Sequence, residues 1–194
     1  MALATALSPC FAACTPEPDG TLNPGGVGGV VVTAMPRSTD GRDIVFGTTL
    51  ANSSDSQSIT FEAAAVDLIG AQGVEYVDAF TVGMNSQVAV GTPVPPQFSD
   101  GSDPVFAQTQ VDNWASRVPL DHSTLAPQAY LQLLVQVRVT TSDDCAFADG
   151  IRIRYREYGK RLLVNANLAT VYFYGASGDQ CHDVYDHLLA TPIG

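Results

Sequence analysis

Between residues 130 and 140 apolar and polar side chains alternate. Leu131, Leu133, Val135, Val137 and Val139 fall on one parity, and Tyr130, Gln132, Leu134, Gln136, Arg138 and Thr140 on the other. A period of two sets one face inward and leaves the other mostly polar, as in a half-buried antiparallel strand; a helix would scatter the same residues around its axis. The alternation returns with Ile151, Ile153 and Tyr155 on one face and Arg152, Arg154 and Arg156 on the other. A tight turn follows at Tyr158-Gly159-Lys160, where glycine supplies a positive φ. A loop at Gly159-Lys160 sets Tyr155 opposite Val164 and Ile153 opposite Ala166, and a loop at Tyr158-Gly159 keeps the same parity, so the pattern predicts a hairpin whose register stays open between the two. Together with RLLVNANLATVYFY, residues 130–174 read as a three-strand antiparallel unit at the centre of the fold.

Upstream, residues 30–35 read as a strand stopped by Pro36, and residues 43–51 as another with Ile44, Phe46, Thr48 and Leu50 on one face. Asn52-Ser53-Ser54-Asp55, whose side chains readily bond their own backbone, turns the chain into residues 58–69, where Ile59, Phe61, Ala63 and Ala65 share a face. Residues 74–82 and 86–90 read as further strands. Residues 91–104 form a proline-rich surface excursion. Residues 108–116 are expected to be a strand or edge segment with Trp114 in or near the core. Val184 and Leu188 recur at helical spacing and predict a short C-terminal helix. No internal repeat suggests a solenoid or propeller. The chain is thus expected to be all-β, an antiparallel β-sandwich of about seven to nine strands. Its short alternating strands and turns resemble an immunoglobulin-like sandwich of exported proteins by pattern, without a tyrosine corner or a Cys-Trp-Cys signature.

At 194 residues the chain suits one domain, and such a chain buries roughly 70% of its unfolded surface. The formal charge of −11 sharpens the choice of partner, because an acidic surface repels phosphate backbones and anionic membranes. The charge is uneven: residues 1–150 hold four arginines against sixteen acids, and residues 151–194 five basic residues against four acids.

Residues 1–14, MALATALSPCFAAC, are small and apolar but too short to span a bilayer. Ala12-Ala13-Cys14 resembles the end of a bacterial lipoprotein signal, which implies lipidation at Cys14 and a true start upstream of Met1. The Pro- and Gly-rich stretch after it reads as a tether, so residues 1–28 are expected to be a disordered signal remnant and tether and residues 29–194 the single sandwich domain. Cys145 and Cys181 bracket the central unit, and a disulfide there points to an oxidising compartment, with no CxxC to suggest metal or redox chemistry. Bridging them would stabilise by roughly 4 kcal/mol in the chain-entropy model.

Candidate chemistry is sparse, and no cofactor, metal site or catalytic set is assigned. His182, Asp183, Asp186 and His187 bring imidazole and carboxylate together on the predicted helix, yet the two histidines are five apart and do not converge as in HExxH. Asp121-His122-Ser123 holds triad residue types side by side, where alternation turns neighbours to opposite faces. Arg152, Arg154 and Arg156 can present forked donors to an anion, or pair across strands with acidic neighbours. Asn52-Ser53-Ser54 is a glycosylation triplet. These features predict a non-catalytic, exported binding or structural module of a cell envelope, lipid-anchored at Cys14 and partnered by another protein or envelope component. A hydrolase or metal enzyme using the His/Asp cluster and a virion or assembly subunit are the alternatives.

Overall fold

In a computed structural model the described residues are 20–25, 29–35, 43–90, 92–93, 104–140, 145–166, 168–174, 181, 186 and 190; residues 29–35, 63–64, 92–93 and 168–174 are described by backbone alone. The strands in chain order are β1 Leu22–Gly25, β2 Gly29–Met35, β3 Asp43–Asn52, β4 Ile59–Ile69, β5 Val74–Gly83, β6 Thr92–Pro93, β7 Val118–Pro119, β8 Thr124–Leu125, β9 Tyr130–Val139, β10 Cys145–Ala148, β11 Gly150–Glu157, β12 Lys160–Ala166 and β13 Leu168–Tyr174. An α-helix, α1 Pro104–Ala115, lies among them. Eight of these strands run seven residues or more, and all of them overlap segments that the alternating pattern reads as strand; the others are short closures.

The strands pair as a six-stranded sheet with β1-β3-β9-β5-β7 in order and β6 beside β3, a four-stranded sheet β12-β11-β4-β8, and a three-stranded sheet β10-β13-β2. Pairing is antiparallel except between β13 and β2. The fold is the expected, mostly antiparallel β-sandwich. Leu133, Val135, Val137 and Val139 of β9 and Ile44, Phe46 and Leu50 of β3 belong to one buried cluster with Ile59 and Phe61 of β4 and Ile151, Ile153 and Tyr155 of β11. Each such side chain contributes about 1.5–3 kcal/mol through its removal from water.

The inner faces follow the predicted parity, but the neighbours differ. β9 lies in the six-stranded sheet and β11–β12 in the opposite layer, so residues 130–174 are not one antiparallel unit. The reason is geometric: alternation fixes which face is buried and says nothing about which strand lies alongside. The last segment of that stretch is also two strands, β12 and β13, in different sheets. Between β11 and β12 the turn is Tyr158-Gly159, with φ of 52° and 73°, and Ile153 pairs with Val164. Of the two registers left open, the structure has this one. Two positive φ values match the twist of the flanking strands.

Three further expectations are corrected. The segment 108–116 is helix as far as Ala115, not strand: Pro104 suits the first turn of α1, and Gln110 and Trp114, four apart, are its buried residues. Residues 86–90 are not a strand either; the chain makes a 3-10 turn at Met84–Ser86 and continues irregularly, held by Val88 N–H donating to Gln132 Oε1 (2.8 Å) and Ala89 N–H to Gln110 Oε1 (2.6 Å). Finally, Leu22–Gly25 is no tether but a strand on β3, with Leu22 only 4% exposed. One buried leucine and a strand edge to pair with outweigh the local Pro/Gly composition. α1 and residues 84–90 cover the outer side of the six-stranded sheet, where Val45, Phe80, Val82, Val88, Trp114 and Leu134 form a second buried cluster. Leu134, the apolar exception on the polar parity of β9, is explained by this cover.

Candidate functional site

The largest concentration of positive charge among the described residues is the outer face of the four-stranded sheet. The parity that buries Ile151, Ile153 and Tyr155 turns Arg152, Arg154 and Arg156 outward, and the register with β12 sets Arg161 opposite Arg156, Leu163 opposite Arg154 and Asn165 opposite Arg152. On the other side β4 supplies the acids. Arg154 pairs with Asp67, and Arg156 and Arg161 share Glu62 at 2.5 and 3.0 Å. Burial works against the Glu62 carboxylate, yet hydrogen bonds from Arg161 and Arg156 and their charges outweigh it and hold the carboxyl below its usual value. Among the described residues Arg152 reaches only the Asn165 side-chain oxygen, at 3.4 Å. Four arginines and Lys160 thus stand against Glu62 and Asp67, so cross-strand pairing absorbs part of the charge and leaves a basic surplus.

That register depends on a bulge. Ile153 faces Val66 and Tyr155 faces Phe61, so the four residues 62–65 of β4 stand opposite Arg154 alone. The bulge brings Glu62 and Asp67 to successive arginines of β11. Tyr158, at the end of the face, is 64% exposed, and Leu163, in the middle of β12, 54% exposed. Tyr158 occupies a left-handed conformation that asparagine or glycine adopts at lower cost. Sequence reasoning found the arginines and missed both residues; a tyrosine at the first position of a Tyr-Gly hairpin turn is the signal that could have flagged them.

Asp121-His122-Ser123 lies elsewhere, on the 3-10 turn Leu120–His122 that contacts β4 and β5. His122 Nε2 is 3.9 Å from Asp121 Oδ1. The Ser123 hydroxyl is buried, donates to Pro119 O (2.9 Å) and shares a 2.6 Å hydrogen bond with Thr81 Oγ1. The serine is thereby engaged with its own scaffold and not with His122. A shallow groove of about 230 Å³ runs beside it, lined by Thr81, Ser116, Val118, His122 and Thr124 among others.

Asn52 is 2% exposed, and its amide donates to the carbonyls of Gln57, Leu125 and Ala126 at 2.7, 3.1 and 3.1 Å. A residue held this way is closed to glycosylation in the folded state. Its Oδ1 accepts from Thr21 Oγ1 at 2.9 Å, and Thr21 also binds the buried Glu157 carboxylate through its backbone N–H (2.8 Å) and hydroxyl (2.5 Å). This network fastens the start of β1 to the end of β11.

Cys145 and Cys181 are joined by a disulfide with Cα atoms 5.6 Å apart. Cys14, His182, Asp183 and His187 lie outside the described residues. No group of three or more His, Cys, Asp or Glu side chains suited to a metal ion occurs among the described residues.

No protein-family model matches the chain, and no curated protein matches it. Among solved structures the chain is similar to the ASH / PapD-like domain of human CEP192 (PapD-like domain 7), with 7% identity and a TM-score of 0.36, over 90% of this chain and 96% of that one. A likeness at that level carries nothing about sites or partners.

Proposed function

We propose that this chain is a non-catalytic binding or structural module of an exported or cell-envelope protein, with another protein or envelope component as its partner and Cys14 as a lipid anchor. The observation that carries the reading is the Cys145–Cys181 disulfide, which ties β10 to the C-terminal segment and is of a kind that persists in oxidising compartments. Two features lend further support. The Ser123 hydroxyl is spent on Thr81 and Pro119, and the arginine face is an open sheet surface, suited to contact and not to enclosing a small substrate. The acidic remainder of the chain disfavours nucleic acid.

Thiol titration of the denatured, unreduced chain, expressed from Met1 and exported to an oxidising compartment, tests this. Of the chain's four cysteines, Cys145 and Cys181 are expected to be unreactive until reductant is added. Their full reactivity without reductant would overturn the exported reading.

A further inference from the structure

We infer that the β11–β12 hairpin docks an acidic, extended segment of a protein partner, added as a strand along the outer edge of β12 and held by Arg152, Arg161, Tyr158 and Leu163. This rests on the binding-module reading above and names the surface and the chemistry of the partner. β12 has β11 as its sole hydrogen-bonded neighbour among the described residues. The two-residue turn makes Glu157 and Lys160 the closing pair of the hairpin, so hydrogen bonding to β11 falls on Lys160, Leu162 and Val164. Arg161 and Leu163 therefore aim their backbone N–H and C=O groups away from the sheet, where an extended chain can pair with them.

Charge selects the occupant. Arg152 has no carboxylate partner among the described residues, and Arg161 shares its single one with Arg156. A strand carrying glutamate or aspartate on its outer face supplies the missing acceptors, and a basic strand is repelled. Leu163, exposed between the guanidinium groups, offers an apolar contact to an alternate side chain of the same strand. Tyr158 is the independent observation. Holding a bulky aromatic at φ 52° strains the turn, and the side chain stands 64% exposed at its tip. Placed at the end of the β12 edge, it serves as a stacking or capping contact for an incoming chain.

The test uses the full chain and a fluorescein-labelled decapeptide alternating glutamate and valine, read by fluorescence anisotropy. Saturable binding that weakens as salt rises is expected. The Arg152→Glu/Arg161→Glu double variant should bind about tenfold more weakly or worse. Tyr158→Asn should raise the denaturation midpoint while weakening binding, a split that a purely structural tyrosine does not give. A peptide N-methylated at alternate residues, which keeps its charge and loses its strand pairing, should bind at least severalfold more weakly than the parent. Absence of saturable binding overturns the proposal, as does equal affinity in the double variant or for the N-methylated peptide. Tighter binding of inorganic phosphate, a heparin fragment or anionic vesicles at the same arginines overturns it in favour of a simple anion site. None of these outcomes alters the thiol count, so failure here is distinguishable from failure of the exported-module reading.

Discussion

Asn52 illustrates how much one buried polar residue can organise. Its amide nitrogen serves the carbonyls of Gln57, Leu125 and Ala126, and its oxygen accepts from Thr21 and from the Ser54 N–H at 2.9 Å. Replacement by alanine strands the buried Leu125 carbonyl and removes the donor to the half-buried carbonyls of Gln57 and Ala126, and each buried group left unsatisfied costs about 1–3 kcal/mol. Asn52→Ala should therefore destabilise the fold by roughly 3 kcal/mol, measured as a lowered urea midpoint at unchanged m-value. Asn52→Asp should do at least as much harm, because it turns a donor into an acceptor facing acceptors. The sequence made Asn52 legible as a turn residue, since Asn-Ser-Ser-Asp is turn chemistry. Its role as a hub was not legible, because the carbonyls of Leu125 and Ala126 lie more than seventy positions away and nothing local announces them. The arginines were legible at this scale for the opposite reason: parity alone put Arg152, Arg154 and Arg156 on the outer face. Their acids, Glu62 and Asp67, required the β4 bulge that no alternation encodes.

At the scale of elements, α1 is the instructive departure. Residues 108–116 are expected from the sequence as a strand or edge segment, and the competing helical signals are one proline at the start and a Gln110–Trp114 spacing of four. Tertiary context decides between them. The outer side of the six-stranded sheet exposes Val45, Val82 and Leu134 unless something covers them, and a helix laying Trp114 across that surface does so. The indole meets the Phe80 ring edge-on at 5.5 Å, and the Arg117 guanidinium lies 4.3 Å from the indole and 4.8 Å from the Phe80 ring. Arg117 Nη1 also bonds the Trp114 carbonyl at 2.9 Å and closes the end of the helix. Trp114→Ala removes the centre of this cluster and should cost about 3–5 kcal/mol. Hydrogen exchange gives the sharper check. Amides of α1 should lose protection while those of β9, buried in the main core, retain it, since the helix is fastened to the sandwich chiefly through this one side chain. Equal loss across both elements would mean that the helix is integral to the core and not a cover on it.

At the scale of the whole molecule, charge is segregated as the sequence suggested, but the fold gives the segregation a place. The basic surplus gathers on the β11–β12 face, and acids from three separate elements, among them the Asp67 that pairs with Arg154, meet around a tyrosine of β5. There Tyr76 of β5 lies half-buried, near Asp78 of its own strand, Asp121 of the 3-10 turn and Asp67 of β4. Burial raises the phenol, and the three carboxylates raise it further, to about 12. No single stretch of sequence reveals this seam, because it exists only once the two sheets have packed. Its consequence for stability follows from proton linkage. An unfolded tyrosine ionises near its ordinary value of about 10, while the folded one keeps its proton until the pH nears 12. Between those values the unfolded state releases a proton that the folded state retains. Stability contributed by the neutral phenol is thus complete below pH 10 and is lost as pH rises toward 12. Spectrophotometric titration should show one tyrosine ionising late, and Tyr76→Phe should remove it. The same substitution should flatten the fall in denaturation midpoint over that alkaline window and leave neutral pH nearly unchanged. A wild-type alkaline limb identical to that of Tyr76→Phe would mean that the seam is open to solvent and that its carboxylates are screened from the ring.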